Sequence, residues 1–135
     1  MTTATSTYEG DLRVASVHVA SGAAIHTDAP VDNHGKGDGF SPTDLLCTSL
    51  ASCMLTIMGI SAAGHGFELK GARAEVQKIM AANPRRVAEI VIDLYFPDGA
   101  SYGDREKRLI ESAAHTCPVA NSLHPDIIKT IRFNY

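Results

Sequence analysis

Residues 41–60, SPTDLLCTSLASCMLTIMGI, predict a long helix that is apolar on nearly every side. Ser41 suits the N-cap, Pro42 the first helical position, where a missing N–H costs nothing, and Asp44 the third position, where a carboxylate can close a capping box. We expect the helix to continue to about Ala63, and about 20 residues, rising about 1.5 Å each, span roughly 30 Å. Because such a helix has no wide polar face, it must be buried in a core or against a second subunit.

On both sides of this helix the apolar residues change to a period of two, which indicates strands. Residues 12–19 alternate in this way, Ser21-Gly22 marks a turn, and residues 23–27 form a second short strand, so the N-terminal part reads as a hairpin. After the helix, residues 69–80 and 86–96 predict another hairpin. The second of these strands alternates apolar and polar residues, as an antiparallel strand does when one face is wet.

The C-terminal third predicts two helices and a strand. A turn at Pro97-Asp98-Gly99 precedes an amphipathic helix over residues 104–115, and Pro118 can open a short helix over residues 118–123. Residues 127–135 are strand-like, and no repeat or linker divides the chain. We therefore expect a single domain over residues 1–135 of the α+β class, in which an antiparallel sheet packs on one long buried helix and one amphipathic helix.

Composition excludes several classes of partner. The chain has 135 residues and a formal net charge of -3, and it contains no run of Lys or Arg, so it lacks the basic surface that nucleic acid requires. Its N-terminus, MTTATSTYEG, has neither the basic nor the apolar region of a targeting peptide. The most apolar segment, residues 45–60, is too short and too often interrupted by Thr and Ser to be expected to span a membrane. We expect a cytoplasmic protein.

Three cysteines, in a compartment that keeps thiols reduced, indicate buried, reactive or metal-binding thiols rather than a disulfide framework. Cys117 would lie at the N-cap of the short helix, where free N–H groups favour a thiolate, so local physics makes it the better nucleophile. Cys53 lies too far from the start of its own helix to be activated there, and a buried structural cysteine is the alternative. Cys47, six residues earlier, faces elsewhere and reads as core filler.

Two sequence motifs carry a family resemblance. SPTDLLCTSLASC and, later, AAHTCPVANSLHP resemble the OsmC/Ohr family of osmotically induced and organic hydroperoxide resistance proteins, and YEGDLR and TDAP near the N-terminus extend the resemblance. It implies the OsmC-like fold, an intertwined homodimer with active sites at the interface, and a cysteine-based peroxidase that reduces organic hydroperoxides. By that pattern Cys53 is the peroxidatic cysteine and Cys117 the resolving one, with an external dithiol as reductant and no cofactor.

The resemblance also implies an arginine that activates the peroxidatic thiol. Arg13 occupies the corresponding position, and a guanidinium beside the Cys53 sulfur would stabilise the thiolate, although a surface arginine is the alternative. In the hydroperoxide resistance branch an acid that positions the arginine directly follows the helix proline, but here Thr43 stands there. Asp44 matches the acid of other OsmC-like branches, and helix capping explains it equally well.

Two further possibilities follow from these residues. The histidines His65, His115 and His124 are scattered and lack the paired spacing of a zinc site, so we expect no metal. The missing acid after Pro42 keeps open a competing hypothesis, in which an OsmC-like protein binds a small ligand through its thiols without turnover.

Overall fold

The computed structural model describes residues 1–97 and 99–135, which fall into two units, Met1–Leu45 and Leu46–Tyr135. In chain order the regular elements are β1 (Ala4–Gly10), β2 (Arg13–His18), β3 (Ala24–Asp28), α1 (Pro42–His65), β4 (Arg73–Ala81), β5 (Arg86–Tyr95), α2 (Asp104–Ala114), α3 (Pro118–Ser122) and β6 (Ile128–Asn134). Short 3-10 turns lie at Val31–Asn33 and Gly99–Ser101. The predicted turn at Pro97-Asp98-Gly99 includes Asp98, which is outside the described residues. That the whole chain is one domain stays a prediction.

The N-terminal unit contains a three-stranded antiparallel sheet in the order β1-β2-β3. The predicted β2–β3 hairpin is confirmed, and its turn at Ser21-Gly22 is closed by a hydrogen bond from the Gly22 N–H to the His18 carbonyl. β1 was not predicted, because most of its residues are small or polar and nearly all are exposed, so no alternation of apolar residues marks it. β1 is joined to β2 through Asp11 and Leu12, both at positive φ, as in the tight turns of hairpins.

The second unit contains another three-stranded sheet, in the order β4-β5-β6. The β4–β5 hairpin is antiparallel as predicted, but β6 pairs with β5 in parallel, so the expectation of a purely antiparallel sheet is wrong at this pair. The reason is the connection. α2 and α3 lie between β5 and β6 and return the chain to the end from which β5 starts, as a parallel pair requires.

α1 begins and ends close to the predicted positions, and one side of it carries the core. Its buried residues are Cys47, Leu50, Ala51, Met54, Met58 and Ala62. They join Ile90, Ile92 and Leu94 of β5 and the buried face of α2 in one apolar cluster. The opposite side of α1 is partly exposed, and Ile60 is 64% exposed. Within one chain the helix is therefore buried along one side, and burial of its other side against a second subunit stays a prediction.

α1 is longer than the apolar segment that was expected to be too short to span a membrane. The helix runs through 24 residues, so among the described residues it is the one helix that could cross a membrane by length and composition. Core helices of globular proteins satisfy the same test, and α1 contributes a large part of the apolar cluster. The expectation that this segment is too short to span a membrane is therefore wrong.

Candidate active site

Two of the three thiols of the chain meet inside the second unit. Cys53 lies on α1 and is partly exposed, whereas Cys117 is fully buried at the N-cap of α3. Pro118 fills the first position of α3, and the Cys117 Sγ accepts a hydrogen bond of 3.4 Å from the Ala120 N–H. The Cys53 side chain is a near neighbour of Cys117 and contributes to the raised pKa of the Cys117 thiol. All three cysteines are free thiols, so the structure represents the reduced protein.

The N-cap position of Cys117 is the one predicted, but its electrostatic consequence is not. Burial is the largest influence and raises the pKa of the Cys117 thiol above its ordinary value. The backbone N–H of Ala120 acts in the opposite direction, and the neighbouring Cys53 side chain raises the pKa further. Local physics alone favoured Cys117 as the nucleophile, and this expectation is wrong because removal of the sulfur from water outweighs the few N–H groups of a five-residue helix.

The third thiol has a different environment. Cys47 is 1% exposed and belongs to the apolar cluster, as the interpretation of this residue as core filler predicted. It lies on α1 six residues before Cys53, which places the two side chains well apart around the helix. The chain thus holds one contacting pair of thiols and a third in its core.

Arg13 has a partner that the sequence analysis missed. Its Nε and Nη2 donate hydrogen bonds of 2.7 and 3.0 Å to the two carboxylate oxygens of Asp28, on the neighbouring strand. This pairing holds the pKa of Asp28 below its ordinary value, although burial of the carboxylate acts in the opposite direction. The same pairing raises the pKa of Arg13. Arg13 and Asp28 face each other in register, and only a hairpin centred between Ala20 and Ser21, rather than on the predicted turn at Ser21-Gly22, pairs them.

Asp44 closes the predicted capping box. Its carboxylate accepts a hydrogen bond of 3.0 Å from the Ser41 N–H, and the Ser41 Oγ accepts one of 3.1 Å from the Asp44 N–H. Thr43 also contacts this cap, with its Oγ1 3.2 Å from the Ser41 Oγ. Of the two interpretations of Asp44, capping therefore has a direct structural basis.

The histidines of the chain do not gather into a cluster with other metal-ligating side chains of the described residues. Within residues 1–97 and 99–135, no group of three or more His, Cys, Asp and Glu side chains could hold a metal ion. The His115 ring packs edge-on against Phe133, 6.2 Å between centroids, and the His124 Nδ1 accepts the Asp126 N–H. The two neighbouring thiols are the groups of the site that can react together, since one sulfur can be oxidised and the other can condense with it.

Residues 35–131 match the family model of the OsmC-like proteins, which covers well over half of the sequence. The chain belongs to the OsmC-like protein family. The resemblance found in its cysteine motifs is thereby confirmed, and so is the expected OsmC-like α+β fold. A comparison with curated proteins found no match.

Solved structures give the same result. A protein from Psychrobacter arcticus 273-4, provisionally described as an osmotic stress induced and detoxification response protein, is 51% identical, with a TM-score of 0.95 over 99% of this chain and 96% of that one. The organic hydroperoxide resistance protein OsmC of Legionella pneumophila is 15% identical, with a TM-score of 0.74 over 98% of this chain and 95% of its own. OhrB of Bacillus subtilis, an organic hydroperoxide resistance protein, is 16% identical, with a TM-score of 0.69 over 97% and 96%. The last two likenesses show a shared fold.

Proposed function

We propose that this protein is a cysteine-based thiol peroxidase that reduces organic hydroperoxides to alcohols. The observation that carries the proposal is the pair of neighbouring thiols, of which Cys53 is partly exposed to solvent and Cys117 is buried. Membership of the OsmC-like family supports it, as do similar folds in proteins named for organic hydroperoxide resistance. We also propose that the protein acts in the cytoplasm, where a dithiol can keep both sulfurs reduced.

The reaction runs in three steps. The Cys53 thiolate attacks the distal oxygen of the hydroperoxide, the O–O bond breaks, and the alkoxide takes up a proton and leaves as the alcohol, so that Cys53 becomes a sulfenic acid. The Cys117 thiol then attacks the sulfenic sulfur, a disulfide forms, and the expelled hydroxide leaves as water with the Cys117 proton. An external dithiol finally reduces the disulfide by exchange and is itself oxidised.

The environments of the two sulfurs support this division of labour. A peroxide can reach Cys53 from solvent, whereas Cys117 is sealed from it. The raised pKa of Cys117 keeps that sulfur protonated at neutral pH, which makes it a poor first nucleophile. Its contact with Cys53 nevertheless places it where a sulfenic acid would form, and proximity of this kind compensates for weak intrinsic reactivity.

Activation of Cys53 is assigned to Arg13. A guanidinium beside the sulfur would stabilise the thiolate and donate to the peroxide oxygen as negative charge develops on it. Arg13 belongs to the N-terminal unit and is held there by Asp28. Asp44 is assigned to the helix cap rather than to the reaction, because its carboxylate binds the Ser41 N–H.

The proposed assembly is a homodimer. Along the open side of α1 a groove of about 460 Å³ is lined mostly by small and apolar side chains of α1 and β4, and Leu55 continues it into a second groove of about 380 Å³. The same helix exposes the apolar side chains of Leu46 and Ile60, and a second copy of the chain is the cover that we propose for them. Sedimentation should therefore show a dimer at micromolar concentration, and a stable folded monomer would contradict the proposed assembly.

A second candidate function rests on Thr43. This residue stands where the hydroperoxide resistance branch places the acid that positions its arginine, so a protein that binds a ligand through its thiols without turnover remains the alternative. The two candidates differ in one measurable property. A peroxidase consumes many equivalents of peroxide when a dithiol is supplied, whereas a binding protein consumes none or a single equivalent.

The deciding experiment measures consumption of tert-butyl hydroperoxide with dithiothreitol or dihydrolipoamide as reductant. Cys53→Ser should lower consumption to that of buffer, and Cys47→Ser is the matched control, expected to retain the rate of the unchanged protein. Without reductant, Cys117→Ser should consume one equivalent and leave a sulfenic acid that dimedone traps. The unchanged protein should instead form one Cys53–Cys117 disulfide within the chain, and a Cys47–Cys53 or intersubunit bridge would contradict the two-cysteine assignment.

A further inference from the structure

The sulfur of Cys117 is also the N-cap of α3. The same atom that belongs to the candidate redox pair accepts the Ala120 N–H at 3.4 Å. The backbone of Cys117 is extended, with φ -73° and ψ 142°, and Pro118 follows it at the first helical position, as at an ordinary helix start. The start of α3 therefore depends on an atom that the proposed reaction modifies.

α3 is held weakly by its other contacts. It contains five residues, and none of them is buried. Val119 and Ala120 pack against the apolar cluster from partly exposed positions, and Leu123 does so just after the helix. The Asn121 N–H donates to the Cys117 carbonyl at 3.2 Å across the single turn. Because a helix this short does not persist by its own hydrogen bonds, the N-cap is a large part of what fixes it.

Cys53 stands on a much firmer element than Cys117. α1 runs through 24 residues and buries six side chains in the core. Two bonded sulfurs lie closer together than two thiols can approach, so formation of a disulfide must bring the two residues nearer to each other. Since a closely packed core resists displacement, the movement falls on Cys117 and the start of α3. The sulfur then leaves the position in which it accepts the Ala120 N–H.

Loss of this hydrogen bond has a cost at the place where it is made. Cys117 is fully buried, so the Ala120 N–H that points at its sulfur faces the interior as well. A buried N–H that loses its acceptor destabilises the folded segment, because it has also lost its hydrogen bond to water. α3 avoids this cost by opening to solvent, and its weak hold on the core makes opening easy.

We propose that formation of the Cys53–Cys117 disulfide uncaps α3, so that residues 118–122 detach from the apolar cluster in the oxidised protein and return to it on reduction. The inference rests on the proposed function, which supplies the disulfide. It makes α3 a redox-sensitive segment, whose half-buried apolar side chains become accessible only while the disulfide is present. A dithiol reductant thereby meets a surface that the reduced protein does not display.

The competing explanation is that the Cys53 side chain turns toward a fixed Cys117 and α3 stays as it is. Amide hydrogen exchange, measured by mass spectrometry, distinguishes the two. The protein is compared after reduction with dithiothreitol and after oxidation with diamide, which takes up two electrons and two protons as two thiols join in a disulfide. Diamide forms the disulfide without any peroxide, so the comparison does not require peroxidase activity.

We expect the amides of residues 119–123 to exchange about two- to thirtyfold faster in the oxidised protein, the factor that corresponds to loss of a helix N-cap. Peptides from α1 and β5 should exchange alike in the two states, because the core keeps its packing. Peptide mapping of the same oxidised sample establishes that it carries the Cys53–Cys117 disulfide.

Two substitutions of Cys117 separate the cap from the disulfide. Serine is a good N-cap residue and alanine is not, and neither can form the disulfide. Under reducing conditions Cys117→Ala should therefore reproduce the fast exchange of the oxidised protein, whereas Cys117→Ser should exchange as slowly as the unchanged protein. Diamide should alter neither variant, nor Cys53→Ser, which keeps the Cys117 cap. Slow exchange of the β5 amides in each variant shows that its core is folded.

Equal exchange of residues 119–123 in the reduced protein and in protein that carries the disulfide would overturn the inference alone. Slow exchange of this segment in reduced Cys117→Ala would do the same, since the sulfur would then not be what holds α3. If diamide yields no Cys53–Cys117 disulfide, the inference fails together with the assigned pair. A protein that opens α3 on oxidation but consumes no peroxide would refute the proposed function and support this inference.

Discussion

The two sheets of this protein are stabilised in different ways. In the sheet of the second unit, Ile90, Ile92 and Leu94 are fully buried and belong to a continuous apolar cluster. In the N-terminal sheet, by contrast, apolar residues such as Val17 and Ile25 are 39% and 52% exposed. That sheet is held by its backbone ladders and by the ion pair between β2 and β3.

The difference teaches that only the second unit carries a hydrophobic core of its own. Burial of apolar area is the main favourable term in folding, so most of the stability of the isolated chain must come from α1, α2 and the sheet β4-β5-β6. A three-stranded sheet without a buried apolar face is marginal by itself. Its exposed apolar residues are consistent with the proposed homodimer, in which further surface of each chain would be covered.

The largest expected effect tests this contrast directly. Ile92→Ala removes a fully buried side chain of β5 and should lower the unfolding free energy by about 2–5 kcal/mol, because it leaves a cavity in the core. Ile25→Ala, at a half-exposed position of β3, should cost only about 0.5 kcal/mol. Urea unfolding of both variants measures the difference. A loss at Ile25 as large as that at Ile92, and smaller in dilute protein, would show that a second subunit buries this sheet.

A smaller effect is expected where α1 begins. Ser41→Ala removes the acceptor of the Asp44 N–H and should cost about 0.5–2 kcal/mol, the usual value of a helix N-cap. Asp44→Ala opens the other half of the box and should also lower stability, while leaving the rate of peroxide consumption unchanged. Thermal unfolding and the peroxidase assay measure the two properties separately. A loss of rate in Asp44→Ala out of proportion to its stability would restore a role for this carboxylate in the reaction.

The smallest expected effect is on the stability of the protein at low pH. Arg13 holds the pKa of Asp28 below its ordinary value of 3.8, and Arg132 does the same for Asp93. A carboxylate whose folded pKa is lowered stabilises the protein above the unfolded value, and this contribution disappears as the pH falls through the folded pKa. Asp28→Asn and Asp93→Asn should therefore each flatten the decline of unfolding free energy between about pH 5 and about pH 3. We expect the larger change for Asp28, which is more buried, and identical pH profiles would contradict that order.

How much of the fold could be predicted follows from the kind of signal that each element leaves. α1 was placed closely because a proline, a capping box and a long apolar run coincide there. β1 was missed because a strand that buries no side chain leaves no alternation in the sequence. The parallel pairing of β6 was missed as well, since the direction of a strand depends on its connection to the sheet and not on its own residues.

The features of the candidate site can also be separated into those that the sequence determined and those that only the tertiary structure decided. The residues themselves determined the N-cap position of Cys117, because that depends on local helix chemistry. The family resemblance supplied the roles expected of Cys53, Cys117, Arg13 and Asp44. The tertiary structure decided that burial raises the pKa of Cys117, that the side chains of Cys53 and Cys117 meet, and that Arg13 is held by Asp28. Each of these results depends on which groups exclude water or supply charge across the fold, and elements distant in the chain determine that.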